Sequence, residues 1–170
     1  MHEIFDIVDV EDKVIGRASR EEVHRQGFLH RSTHLLVFDD KGRVLLQKRS
    51  IEKDTFPGKW DSSVSGHVDS GEHYDECIVR EAKEEIGLDL EEVPEKLFKI
   101  EACEQTAQEF TWVYRTISTG PFSFDKNEIS EIRWNTSDEV RRLLALNPES
   151  FSPAFALVWS ILEESAGQTT

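Results

Sequence analysis

The chain lacks several features that commonly indicate function. It has two cysteines, Cys77 and Cys103, far apart in 170 residues. That is no disulfide framework, so a reduced, cytoplasmic setting without a disulfide is expected. Basic charge is scarce, with 20 Lys and Arg against 34 Asp and Glu and a net charge of −14. So acidic a surface repels nucleic-acid backbones and anionic membranes, and neither is expected as a partner. Long apolar runs are missing: the best, around Ala154 to Leu162, is interrupted and too short to span a bilayer. The N-terminus, Met1-His2-Glu3-Ile4-Phe5-Asp6, has neither the basic region nor the apolar core of a secretory signal. There is no internal repeat, linker or low-complexity segment.

What is present suits a folded domain. Hydrophobic residues make up 38% and charged ones 32%, as in soluble globular proteins. The length suits one domain over 1–170, with 1–28 packed on it as N-terminal strands and a short helix, and 166–170 a frayed tail. Ile4 to Val10, Val14-Ile15, His30 to Phe38, Arg43 to Lys48, Trp60 to Ser65, Leu97 to Cys103, Phe110 to Ile117 and Ile129 to Trp134 read as extended segments. Asp39-Asp40-Lys41-Gly42 reads as a hairpin turn. Helices are expected over Arg20 to Gln26, ended by Gly27, and over Tyr74 to Ile86, where Tyr74, Ile78 and Ala82 form a buried stripe ended by Gly87. Thr136 and Glu139 have capping-box spacing for a helix to Leu146, and Pro153 opens a last one to Glu164. The pattern predicts an α/β fold with a mixed sheet between helical layers.

One stretch carries chemistry. Gly66-His67-Val68-Asp69-Ser70-Gly71-Glu72 is followed by Arg80-Glu81-Ala82-Lys83-Glu84-Glu85-Ile86-Gly87-Leu88. Glu81, Glu84 and Glu85 stand at i, i+3 and i+4, so a helix puts them on one face. An isolated acidic triplet is usually a solvated face. Here glycines and an arginine bracket it, and a carboxylate ridge beside a turn suits a hard cation that also binds phosphate oxygens. A cation would also overcome the repulsion between so acidic a protein and an anionic substrate. Lys48, Arg49, Lys53 and Lys59 form the densest basic segment and offer a second counterweight; Arg49 and Lys53 are the favoured phosphate grip.

The order G-x5-E-x7-R-E-U-x-E-E-x-G-U, with U apolar, is the signature of the Nudix family, which this chain resembles at every fixed position. Each fixed residue type has an abundance of about 5–7%, which makes chance agreement negligible. The resemblance implies a Nudix-type α/β/α sandwich with the signature on a loop–helix–loop, and hydrolysis of a diphosphate-linked small molecule with Mg²⁺, Mn²⁺ being a substitute. It implies that Glu81, Glu84 and Glu85, with the Gly66 carbonyl, hold metal, and that one glutamate handles the attacking water. Arg80 is expected to point away from the metals and tie the loop through Glu72. Gly66, Gly71 and Gly87 are expected to permit backbone conformations or close approaches denied to other residues.

A narrower resemblance, over about Ile4 to Leu157, is to isopentenyl-diphosphate isomerases and their hydrolase-like relatives. It rests on Leu45-Leu46-Gln47-Lys48-Arg49-Ser50, Phe56-Pro57-Gly58-Lys59-Trp60 and Phe151-Ser152-Pro153, among others. It implies that Arg49 and Lys53 bind diphosphate and that His24, His30, His67 and Glu109 are a candidate second metal set, of Zn or Mn type, or else inherited framework. Ser65 stands where the isomerases have a catalytic cysteine, Ala107-Gln108-Glu109 keeps one of two strand glutamates, and the helix signature degraded in isomerases is whole here. These departures favour a hydrolase over the alternatives, an isomerase or a non-catalytic nucleotide sensor. Trp60, Phe110 and Trp112 are either base-stacking residues or core. His2, His34 and His73 are assigned no role. A homodimer is a further expectation.

Overall fold

The computed structural model describes residues 3–167, so His2 lies outside the described residues. Strand β3 (His30–Phe38) organises the molecule. Its side chains alternate between the two faces of a sheet. Leu35 and Val37 enter one core, and Leu36 enters the other. Strand β8 (Glu109–Ile117) runs parallel to β3 along its full length, with His30 opposite Glu109 and Phe38 opposite Ile117. Strand β7 (Glu95–Ile100) pairs antiparallel with β8 on its far side.

On its other side β3 is shared. Strand β6 (Val64–His67) pairs antiparallel with residues Ser32 to Leu35. Strand β4 (Val44–Arg49) meets β3 at Phe38 opposite Val44 and then diverges to pair with β9 (Ile129–Asn135) and the two-residue β5 (Trp60–Asp61). The extended segment expected over Trp60 to Ser65 is thus two strands. Ser63 makes the break: its hydroxyl donates to the Leu45 carbonyl on β4 and accepts from the Val37 N–H on β3 at 2.8 Å. The resulting sheet has seven strands and is mixed.

Helix α2 (Tyr74–Ile86) buries Cys77, Ile78, Ala82 and Ile86, three of which join Leu35, Val37 and Tyr114 in one core. Helix α3 (Ser137–Leu146) has the expected capping box, with Thr136 and Glu139 bonded reciprocally at 3.2 and 2.7 Å. It packs with α4 (Pro153–Gly167) over the other core, through Val140, Phe155, Val158 and Trp159. Helix α4 runs into the stretch expected to fray; residues 168–170 lie outside the described residues.

The N-terminal hairpin, β1 (Ile4–Val8) and β2 (Val14–Ser19), leads into α1 (Arg20–Gln26), capped by the Ser19 hydroxyl and ended by Gly27. Asp12 pins the hairpin turn to three other elements. Its carboxylate accepts from Arg31 of β3 at 2.6 Å, Tyr74 of α2 at 2.9 Å and Lys99 of β7 at 2.6 Å. Burial alone would raise the Asp12 carboxyl, but these bonds hold it below the usual carboxylate range.

Candidate active site

The three signature glutamates are not equivalent. Glu84 is largely exposed, and Arg80 Nη1 lies 3.0 Å from it. Glu81 and Glu85 face inward. Glu81 lies against Gly66 so closely that a Cβ there would fall 2.1 Å from the Glu81 Cδ, so any larger residue would displace the Glu81 carboxylate. Glu85 Oε2 accepts from the Ser65 N–H at 3.0 Å and from Gln47 Nε2 at 2.8 Å. Burial raises the carboxyls of both. The charge of Glu81 adds to the effect on Glu85, which is pushed up to about 8. Two half-buried carboxylates whose proton affinity is raised in this way favour positive charge beside them, whether a proton or a cation. Carboxylate oxygens beside a backbone carbonyl are the donor type that a hard divalent cation takes, although among the described residues the ridge carboxylates do not converge as tightly as the histidine cluster does.

Arg80 departs in part from expectation. Nε and Nη2 hold Glu72 at 2.8 Å each, and Nη2 also donates to the His67 carbonyl at 3.1 Å. The guanidinium therefore ties the loop, as expected. It does not point away from the ridge, however: Nη1 donates to Glu81 at 2.7 Å as well as to Glu84. Glu84, four residues on, shares its helix face, and the long guanidinium arm also reaches the adjacent Glu81. Gly87 ends α2 at φ 66°, and a Cβ there would lie 3.0 Å from the Ser123 carbonyl oxygen.

A cleft of about 500 Å³ opens beside the ridge. Arg49 and Lys53 line it, together with Glu81, Glu84 and Glu85. Arg49 is nearly buried and holds its own loop, donating to the Thr55 carbonyl at 2.9 Å and hydroxyl at 3.0 Å, with Nη1 4.0 Å from Asp61. Lys53 is paired with Glu128. Trp60, Phe110 and Trp112 do not line the cleft: Phe110 is buried, and the two tryptophans pack on the two cores.

The four residues of the candidate second metal set come together from four elements. His24 lies on α1, His30 on β3, His67 on β6 and Glu109 on β8, with one ligand atom from each all within 4.8 Å of one another. His67 Nε2 is 3.0 Å from Glu109 Oε1. His30 Nε2 is 3.4 Å from the same oxygen, outside hydrogen-bond geometry. The buried Nε2 atoms of His24 and His30 have no hydrogen-bond partner. Burial, and then the charges of His67 and His30, push His24 down to about 4, leaving a neutral ring. Burial would raise Glu109, but His67 and His30 hold it well below the ordinary range. Three imidazoles and a carboxylate with unsatisfied nitrogens fit a borderline-soft cation. Phe5 of β1 stacks on His67 at 4.7 Å and covers the cluster.

Sequence reasoning missed Arg20, Gln47 and His34. Arg20 lines the cleft from the start of α1, held by Glu3 at 2.8 Å, and nothing in its local sequence marks it. Gln47 and His34 did carry a signal, as polar residues inside otherwise apolar strands, Val44-Leu45-Leu46-Gln47 and His34-Leu35-Leu36-Val37.

Known proteins show the same plan. The NUDIX domain family matches residues 28–155. An uncharacterized Nudix hydrolase of Yersinia pestis, YPO2781/y1614, is 38% identical over 143 residues, covering 81% of this chain and 75% of that protein. A prenyl-diphosphate phosphatase of Methanosarcina mazei is 36% identical over 156 residues, covering 86% and 87%. The crystal structure of DR0079 from Deinococcus radiodurans superposes with a TM-score of 0.83 at 28% identity, over 93% of this chain and 98% of that one. Signature, fold and relatives agree, and the chain belongs to the Nudix hydrolase family.

Proposed function

We propose that the chain hydrolyses a phosphoanhydride bond in a small diphosphate-linked molecule with Mg²⁺, for which Mn²⁺ substitutes. The supporting observation is the pair Glu81 and Glu85, both half-buried, lining the cleft and with raised carboxyls. Such a pair gains most from a divalent cation, with Glu84 and the Gly66 carbonyl completing the ligand set. A bound cation would screen the diphosphate oxygens and favour attack by water. Arg49 and Lys53 grip the phosphate, while Arg80, Glu72 and Gly87 keep the ridge in place. The test is a panel of nucleoside di- and triphosphates, nucleotide sugars, dinucleoside polyphosphates and prenyl diphosphates with Mg²⁺ or Mn²⁺, with Glu85→Gln as control. Full activity of Glu85→Gln on the best substrate would refute the assignment.

Prenyl diphosphates belong in the panel because a 36% identical relative is named a prenyl-diphosphate phosphatase. His24, His30, His67 and Glu109 hold a second cation, Zn²⁺ or Mn²⁺, in this reading, supported by the unpartnered Nε2 atoms. That cluster also favours the alternative of an isopentenyl-diphosphate isomerase; against it stands Ser65, whose hydroxyl is a far weaker acid and base than a thiol. A coupled assay for allylic diphosphate separates the two, since an isomerase releases no phosphate. The net charge of −14 supports small molecules over nucleic acids as partners. No helix among the described residues is long and apolar enough to cross a membrane. Two free cysteines support a cytoplasmic setting. A homodimer is proposed on general grounds, to be read by light scattering.

A further inference from the structure

A chain of polar groups on the cleft side of the sheet is used by neither the ridge nor the histidine cluster. His34 is 2% exposed, and it lies directly across from Ser65 in the β3–β6 pairing. Both residues line the cleft. His34 Nε2 is 3.2 Å from Ser65 Oγ. Its Nδ1 is 2.8 Å from Ser62 Oγ and 3.9 Å from Asp61 Oδ1. Asp61 is itself buried and accepts from the Ser62 N–H at 2.8 Å.

The negative charge of Asp61, 3.9 Å away, favours the tautomer with its proton on Nδ1, where the Ser62 hydroxyl oxygen accepts it at 2.8 Å. Nε2 is then an acceptor, and the Ser65 hydroxyl donates to it. With that proton committed, Ser65 Oγ can offer the cleft only lone pairs. The same residue's backbone N–H fixes Glu85 Oε2 at 3.0 Å. An oriented acceptor and the innermost ridge carboxylate are thus held by one residue. Burying a histidine here carries a desolvation cost that an apolar residue would avoid, which is a reason to seek a use for it.

We propose that Ser65 is a catalytic residue that orients the attacking water, and that His34, backed by Asp61, positions its hydroxyl. The inference rests on the reading of the ridge as a phosphoanhydride hydrolase. The water oxygen bonds to phosphorus while the bridging P–O bond breaks and its electron pair leaves with the departing phosphate. One water proton passes to a ridge carboxylate, and the other lies in the hydrogen bond to Ser65 Oγ. Ser65 keeps its own proton, shared with His34, throughout.

The test compares Ser65→Ala, His34→Gln, His34→Leu and Ser65→Ala/His34→Leu with wild type and Glu85→Gln, in Mg²⁺, on the substrate that wild type hydrolyses best in the panel of nucleoside di- and triphosphates, nucleotide sugars, dinucleoside polyphosphates and prenyl diphosphates. Ser65→Ala is expected to lower kcat about 10- to 100-fold with KM nearly constant and the melting temperature unchanged. His34→Gln, which can place an amide oxygen near Nε2, retains most of the rate. His34→Leu falls as far as Ser65→Ala, and the double variant falls no further. Wild-type kcat in Ser65→Ala, additive losses in the double variant, or phosphoserine at position 65 after an acid quench would each overturn the proposal. Ser65→Ala alone decides if the His34→Leu variants do not fold. Loss of turnover in Glu85→Gln but not in Ser65→Ala refutes only the role of Ser65. No turnover by wild type of any substrate in that panel overturns the ridge reading with it.

Discussion

The acidic ridge and the histidine cluster can both attract cations, yet the chain builds them in opposite ways. The ridge comes from one helix, with its glutamates three and four residues apart and its bracing arginine adjacent. The cluster draws one residue from each of four elements, and its members span His24 to Glu109. The ridge is a helix face shaped by Gly66, Ser65 and Gln47 of the neighbouring strands and braced by Arg80. The cluster exists only where α1, β3, β6 and β8 meet. A locally encoded site should therefore survive disturbances that dismantle an assembled one.

The largest expected effect breaks the ridge alone. Glu85→Gln should lower kcat in Mg²⁺ by about 10²-fold or more, while Mn²⁺ binding at the histidine cluster, followed by electron paramagnetic resonance titration, stays the same. Glu109→Gln is the converse. It should weaken metal binding at the cluster by about 10- to 100-fold and leave metal binding at the ridge intact. Equal losses at both sites in either variant would mean that they form one centre.

Arg80→Ala probes what the ridge borrows from its loop. It removes the paired bonds to Glu72 and should cost about 1–2 kcal/mol in urea unfolding, less than a fully buried pair because the guanidinium is partly exposed. The smallest effect is on the hairpin latch. Asp12 has a depressed carboxyl in the folded state, so its contribution is present above about pH 4 and is lost as pH falls through the folded value. Asp12→Asn should therefore be about 1 kcal/mol less stable than wild type at pH 7, with the gap closing below pH 4 in thermal melts. Because the hairpin carries Phe5 and leads into His24, this variant should weaken the cluster more than the ridge.

Much of the fold was legible because it is locally encoded. The span of β3 follows from its apolar run, that of α2 from its four-residue stripe and Gly87, and the start of α3 from Thr136 and Glu139. The break at Ser62-Ser63 was not legible, because it arises where β3 and β4 part and a serine bridges them. Arg80 was half legible: its bond to Glu72 goes with the motif, whereas its contact with Glu81 depends on where the guanidinium settles among several carboxylates. Strand aromatics are more often core than base-stacking, and packing bears this out: Trp60 and Trp112 lie against the two cores and Phe110 is buried. His34 offered a clue in its apolar strand, but its partners, Ser62, Asp61 and Ser65, come from the segment that folds across it.

By itself the sequence determined the family, the helix that carries the ridge and the spacing of its glutamates, because helical periodicity converts residue intervals directly into a shared face. Which glutamates turn inward, that Arg80 leans on the ridge, and that three histidines and Glu109 meet beneath Phe5 were decided only by tertiary structure. Burial and proximity depend on chain segments that sequence distance does not relate, and those two quantities set the charge chemistry of the site.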